Sequence, residues 1–124
     1  MIRTAMADPE ALIRRYLAAM EDADLEGVLD CFTPDGTAAS PTYGAMPVRT
    51  FYETLFADTV AVKLDLRAIY AATDAPQRWM AHFGYHWERR DQPTVDTELV
   101  DLFELRGERI ARLRIVFAPP PPAA

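Results

Sequence analysis

From Val60 onward the apolar side chains of this chain recur at every second position, a period that restricts the second half to β-strands. Trp79, Ala81, Phe83, Tyr85 and Trp87 alternate with Met80, His82, Gly84 and His86. Thr97 to Leu105 repeats the pattern, and successive strand side chains point to opposite faces. One face carries Thr97, Leu99, Asp101, Phe103 and Leu105; the other carries Glu98, Val100, Leu102 and Glu104. The first face is the more apolar and is expected to be buried. Asp101 stands in its middle, where an ionised carboxylate is costly unless it neutralises or finds a partner. Asp101 therefore marks either a site or an aspartate satisfied by backbone or by a neighbouring arginine.

The remaining strands and turns follow from the same pattern. Val60 to Ala72 reads as a strand, and Thr73 to Gln77 and Arg90 to Pro93 read as turns. Arg109 to Phe117 is a last strand that buries Ala111, Leu113, Ile115 and Phe117 and shows Ile110, Arg112, Arg114 and Val116 on its other face. The outer faces mix Val100, Leu102, Ile110 and Val116 with charges, which suits a homodimer interface better than bulk solvent.

The first half has the helical period. Asp8 is placed to cap a helix that Pro9 and Glu10 open, with Leu12, Ile13, Tyr16, Leu17 and Met20 on one face. Asp24 caps a second, shorter helix with a stripe of Leu25, Val28, Leu29 and Phe32. Thr33-Pro34-Asp35-Gly36 is a turn signal, Thr37 to Ala39 a short strand and Pro41 to Pro47 a loop. A third helix from Val48 to Ala57 directs Phe51, Tyr52, Leu55 and Phe56 inward. Helices followed by long antiparallel strands give an α+β fold: a strongly curved sheet wrapped around the helices as a cone, with an aromatic pocket between them. Residues 1–118 form this single domain, and 119–124 are a proline-rich extended tail.

A net charge of −6 argues against nucleic acid or an anionic membrane as partner. No apolar run approaches the roughly 18–20 residues that span a bilayer, and Met1 to Ala7 lacks the apolar core of a secretory signal. One cysteine, Cys31, allows no internal disulfide and suits a small core position. These features fit a cytoplasmic protein without cofactor. His82 and His86 share the face opposite the aromatic stripe with no third ligand in view, so no metal is expected.

The chain resembles the ketosteroid isomerases, within the broader nuclear-transport-factor-2-like superfamily that includes SnoaL-type polyketide cyclases and limonene-epoxide hydrolases. The resemblance runs over Arg15 to Met20, Asp24 to Val28 and Phe32 to Thr37, and resumes at Phe51-Tyr52, Val100 to Phe103 and Leu113 to Phe117. It is carried most specifically by Tyr16 together with Asp101. It implies that Tyr16 and a protonated Asp101 donate hydrogen bonds to an enolate oxygen. Tyr52 would support Tyr16, and Phe51, Phe83, Phe103, Leu113 and Phe117 would line the pocket. The implied ligand is a small apolar carbonyl or phenolic compound, steroid- or polyketide-like. The family's proton shuttle is an aspartate just before a proline, and Ser40-Pro41 stands there in this chain. A hydroxyl without an activating partner does not collect a proton near neutral pH, so the base comes from elsewhere, Asp101 itself cycles as acid and base with Tyr16 as in cyclase relatives, or the base is missing and the pocket binds its ligand without turnover. Asp35 is the nearest acidic residue in sequence that could replace it.

Overall fold

A computed structural model describes residues 8–118. The tail at 119–124 and the segment Met1 to Ala7 lie outside the described residues. The elements run α1 (Pro9–Glu21), α2 (Leu25–Asp30), β1 (Phe32–Ser40), β2 (Gly44–Pro47), α3 (Val48–Ala57), β3 (Thr59–Ala71), β4 (Arg78–Arg89), β5 (Val95–Arg106) and β6 (Arg109–Ala118). The strands make one sheet in the order β2-β1-β6-β5-β4-β3. Every pairing is antiparallel except β1 with β6, which is parallel. This is the expected α+β architecture, but α3 follows two strands and so is not part of an N-terminal helical block.

Local chemistry sets the helix starts. The Asp8 carboxylate accepts from the Glu10 N–H at 3.0 Å, and Asp24 accepts from the Gly27 N–H at 3.0 Å, each satisfying a donor that the first helical turn leaves free. Leu12, Ile13, Tyr16, Leu17 and Met20 are all buried, as their spacing requires. α1 packs on β3, and α3 packs on β1, β2 and β3. The core lies between these helices and the inner sheet face. No described helix is long and apolar enough to cross a membrane.

The structure corrects the sequence reading at several points. Thr33 to Gly36 is not a turn but part of β1, whose pairing with β6 is irregular between Phe32 and Thr37. Pro34 has no N–H to give a ladder, and this irregular stretch asks for none. Pro41 to Pro47 is only partly a loop, because Gly44–Pro47 pairs with β1 as a hairpin whose chain reversal uses Gly44 at φ +76°. Phe32 opens β1 and does not belong to α2, and Phe56 is only half-buried. The alternation of β6 breaks near its start. Glu104 faces Arg112 while Leu105 faces Ile110, so Ala111 is the extra residue of a bulge. The bulge turns Ile110 fully into the core and leaves Ala111 half-buried, the reverse of the expected faces at both positions.

One hydrogen-bond chain joins α3 to the sheet. The Trp87 indole N–H donates to Thr59 Oγ1 at 2.8 Å, and Thr59 Oγ1 donates to the Leu55 carbonyl at 2.6 Å, all in the core. Thr59→Val keeps the shape but leaves the indole N–H without its acceptor. It is expected to lower stability by about 1–3 kcal/mol in urea unfolding. Thr54→Val, which removes a hydroxyl bonded to the Thr50 carbonyl on a more exposed face, should stay within about 0.5 kcal/mol.

Candidate functional site

Asp101 sits mid-strand on β5, paired with Ala81 on one side and Ile115 on the other. It is 1% exposed, and among the described residues its Oδ1 has no hydrogen-bond partner. Of the readings open from sequence, this removes the aspartate paired to an arginine: burial alone acts on the carboxyl, pushing its pKa well above the usual carboxylate range, and no cation pulls it back.

Three phenols surround this carboxyl. Tyr16 comes from α1, Tyr52 from α3 and Tyr85 from β4. The Tyr16 and Tyr52 hydroxyls are hydrogen-bonded to one another. The Tyr16 ring stands edge-on to Phe32, Tyr52 and Phe103, with centroids 5.8, 6.1 and 5.8 Å away, which fixes its orientation. Burial raises the pKa of all three phenols, and negative charge on Asp101 would raise each further. The site therefore favours a set of neutral, proton-bearing oxygens.

These groups line a cavity between α1, α3 and the sheet. Ser40, Phe51, Phe83 and Phe117 share its wall, together with Met20, Leu55, Leu99 and Ile115. Thr42, Tyr43 and Trp87 complete it. The empty space among these walls, with the solvent at its mouth included, is about 390 Å³, and its interior holds room for about one water. Among the lining residues Asp101 is the only carboxylic acid, and no lysine, arginine or histidine joins it.

The structure brings together Tyr16, Asp101, Ser40, Tyr52, Phe51, Phe83 and Phe117. It places Phe103 and Leu113 elsewhere: both are buried core, and Phe103 sits behind Tyr16 without lining the cavity. Ser40 Oγ accepts the Tyr43 backbone N–H at 3.1 Å. Asp35 does not reach the cavity; its exposed carboxylate accepts from Thr33 and pairs with Arg106, which together lower its pKa. His82 bonds Glu98 at 2.9 Å, and His86 lies between Glu88 and Asp96 at 3.3 and 3.4 Å. Sequence reasoning missed Tyr85, Trp87 and Tyr43 as wall residues. The first two stand in the same alternating stripe as Phe83, so a signal existed. Tyr43 lies in a turn, where no period operates.

The raised Asp101 pKa has a stability consequence. An unfolded aspartate ionises near about pH 3.9, whereas the folded group holds its proton to higher pH. Folding therefore loses stability as pH rises from the unfolded to the folded pKa, and loses none from this group below the unfolded value. Urea unfolding between pH 4 and 9 should show Asp101→Asn gaining on wild type with rising pH, by at most about tenfold in the unfolding constant per pH unit. Parallel curves would mean that Asp101 is ionised in the fold.

Comparison with known proteins places this geometry. The sequence profile of the SnoaL-like domain matches residues 13–113. A protein from Novosphingobium aromaticivorans, provisionally named an aromatic ring hydroxylase, is 19% identical and superposes with a TM-score of 0.79 over 94% of this chain and 90% of its own. A Catenulispora acidiphila protein with a ketosteroid isomerase-like fold, solved with trimethylamine, is 17% identical, with a TM-score of 0.72 over 84% and 82%. An epoxide hydrolase/cyclase-like enzyme of pyran ring formation in the polyether salinomycin is 15% identical, with a TM-score of 0.74 over 87% and 88%. At these identities the likeness is one of fold. With the profile match covering most of the sequence, the chain belongs to the SnoaL-like domain family.

Proposed function

We propose that the protein binds a small apolar carbonyl or phenolic compound in this cavity, with the compound's oxygen held by Tyr16 and protonated Asp101, and that it performs acid–base chemistry of the enolisation or isomerisation type. The observation that carries this reading is the buried Asp101 carboxyl, whose Oδ1 has no partner among the described residues in a cavity walled by rings. A ligand oxygen supplies the missing partner, and an apolar body matches the walls. When Tyr52 donates to Tyr16 Oη, the Tyr16 hydrogen is free to point at the ligand. As a proton leaves the carbon beside a carbonyl, negative charge grows on its oxygen, and both donors bind that charge more strongly than the starting ketone. In a site shielded from water this difference lowers the barrier.

Removing the carbon's proton is the harder part. Ser40 stands where the family resemblance expects a carboxylate, and among the described residues no carboxylate or histidine is hydrogen-bonded to it. The cavity's single carboxyl must then serve in both directions, giving its proton to the ligand oxygen and recovering one as a carboxylate. Binding without turnover is the second reading, and the lack of a second carboxyl group in the cavity favours it.

Two assays separate these. 2-Naphthol should bind wild type, and Tyr16→Phe should weaken it by about tenfold, the worth of one hydrogen bond in the cavity. Isomerisation of a 3-keto-Δ5 steroid by wild type should be slow, and Ser40→Asp should speed it by about a hundredfold or more, the usual gain from a positioned base. Asp101→Asn keeps a neutral donor, so it should retain naphthol and lose turnover. Brisk isomerisation by wild type would show that a separate base is present after all. Failure of naphthol to bind would remove the ligand class.

For the outer face we infer a second copy of this chain as partner. One end carries Arg78, Arg112 and Arg114 against Glu104; the other carries Asp65, Glu88, Asp96 and Glu98 against Lys63 and Arg67. Ala68, Met80, Val100, Leu102 and Val116 lie between. A two-fold axis through this apolar band sets each positive end on the partner's negative end. Wild type should sediment as a dimer, and Arg112→Glu with Arg114→Glu as a monomer. Mixing that variant with Asp96→Arg/Glu98→Arg should restore pairing. A monomeric wild type would overturn the assignment.

A further inference from the structure

The cavity has room for about one water, so a larger compound reaches Asp101 only when a wall moves. Most of that wall is helix or paired strand. The exception is the turn between β1 and β2, which contributes Thr42 and Tyr43. This turn is the part that can swing without breaking a helix or a ladder.

Tyr43 holds the turn shut. Its ring stands edge-on to Phe51 and Trp87, with centroids 5.7 and 6.4 Å away. Its hydroxyl donates to Asp58 Oδ2 at the C-terminal cap of α3. Arg89 grips the same oxygen through Nε at 3.0 Å and Nη2 at 2.6 Å, and its guanidinium carbon lies 4.4 Å from the Trp87 ring centroid. Asp58 therefore stays in position whether or not Tyr43 is bound to it. The next residue, Gly44, has φ +76°, and a Cβ built there would meet nothing within 4 Å, so open space lies beside the pivot.

We propose that Tyr43 is the gate of the cavity: release of its hydroxyl from Asp58 lets the turn swing outward, and its return closes the site over the bound compound. Tyr43 thereby sets how fast compounds pass and how large a compound the closed site keeps. The fixed Asp58–Arg89 pair is the catch, and a hydrogen bond to a carboxylate is strong enough to keep the closed form dominant. The proposal rests on the ligand-binding reading above only for the identity of what passes.

The test begins without ligand. Trp79→Phe leaves Trp87 as the protein's one indole, and acrylamide quenching of its fluorescence reports opening of the wall that Tyr43 covers. In this background Tyr43→Phe, which keeps the ring and removes the latch, should raise the quenching constant by at least about threefold while the urea midpoint shifts little. With 2-naphthol in stopped flow, association and dissociation should both quicken by about tenfold, with Kd changed by less than about threefold. A quenching constant equal to that of the parent overturns the gate. A raised quenching constant with no naphthol binding to either protein supports the gate and removes the proposed ligand class.

Discussion

A carboxyl group is held on the inner face of β5 with no cation among the described residues to pair it, and the surrounding structure answers to that fact. A charge there would face a medium of low dielectric, with rings on most sides and phenols that themselves resist ionisation. The consistent solution is a neutral acid among neutral phenols. Ala81 opposite keeps the neighbouring strand position small, and the three tyrosines arrive from α1, α3 and β4. What results is a cluster of hydrogen-bond donors in dry surroundings, useful toward an oxygen that gains charge and indifferent toward one that does not.

The two faces of the sheet divide the chemistry. The inner face buries aromatic rings and one acid. The outer face binds its two histidines to carboxylates and sorts its charges toward opposite ends. Alternation along β4 and β5 makes this division possible: the inner side carries rings and aliphatic chains with Asp101 as its one acid, while the outer side mixes charges and histidines with Met80, Val100 and Leu102. The inner acid also carries a cost, because an unsatisfied buried polar atom lowers stability, and such costs are commonly retained where they serve a site.

How far the sequence spoke depended on the kind of information required. The caps at Asp8 and Asp24 were legible because they need only a few neighbouring residues. Asp101 was legible because alternation is a local property and the residue violates it. The family resemblance implied pocket-wall places for Phe103 and Leu113, and alternation could not correct it, since it tells which face a side chain takes but not which stretch of strand lies beneath the helices. Ile110 and Ala111 were misassigned because a bulge shifts the phase, and no local pattern announces it. Thr33 to Gly36 carries turn residues yet runs as strand, because it lies between Phe32 and Thr37, both of which pair with β6. Tyr43 could be found only in three dimensions, because its meaning lies in Asp58 and Arg89, which come from other elements.

The position of β6 in the sheet bears on how the molecule comes to exist at all. β1 and β2 form one hairpin, and β3, β4 and β5 form a meander, but the two groups touch within the sheet only through β6, the last of the strands in sequence. One of its edges completes a parallel pair with β1, a partner from far earlier in the chain. Loop closure over such a separation has to be met before its contacts reward it, which slows folding. Until β6 docks, the unpaired edge of β5 remains open to other chains, a state prone to aggregation. The strand that joins the two halves of the sheet is also the one that carries Ile115 and Phe117 into the cavity, so the pocket and the completed sheet arise in the same step.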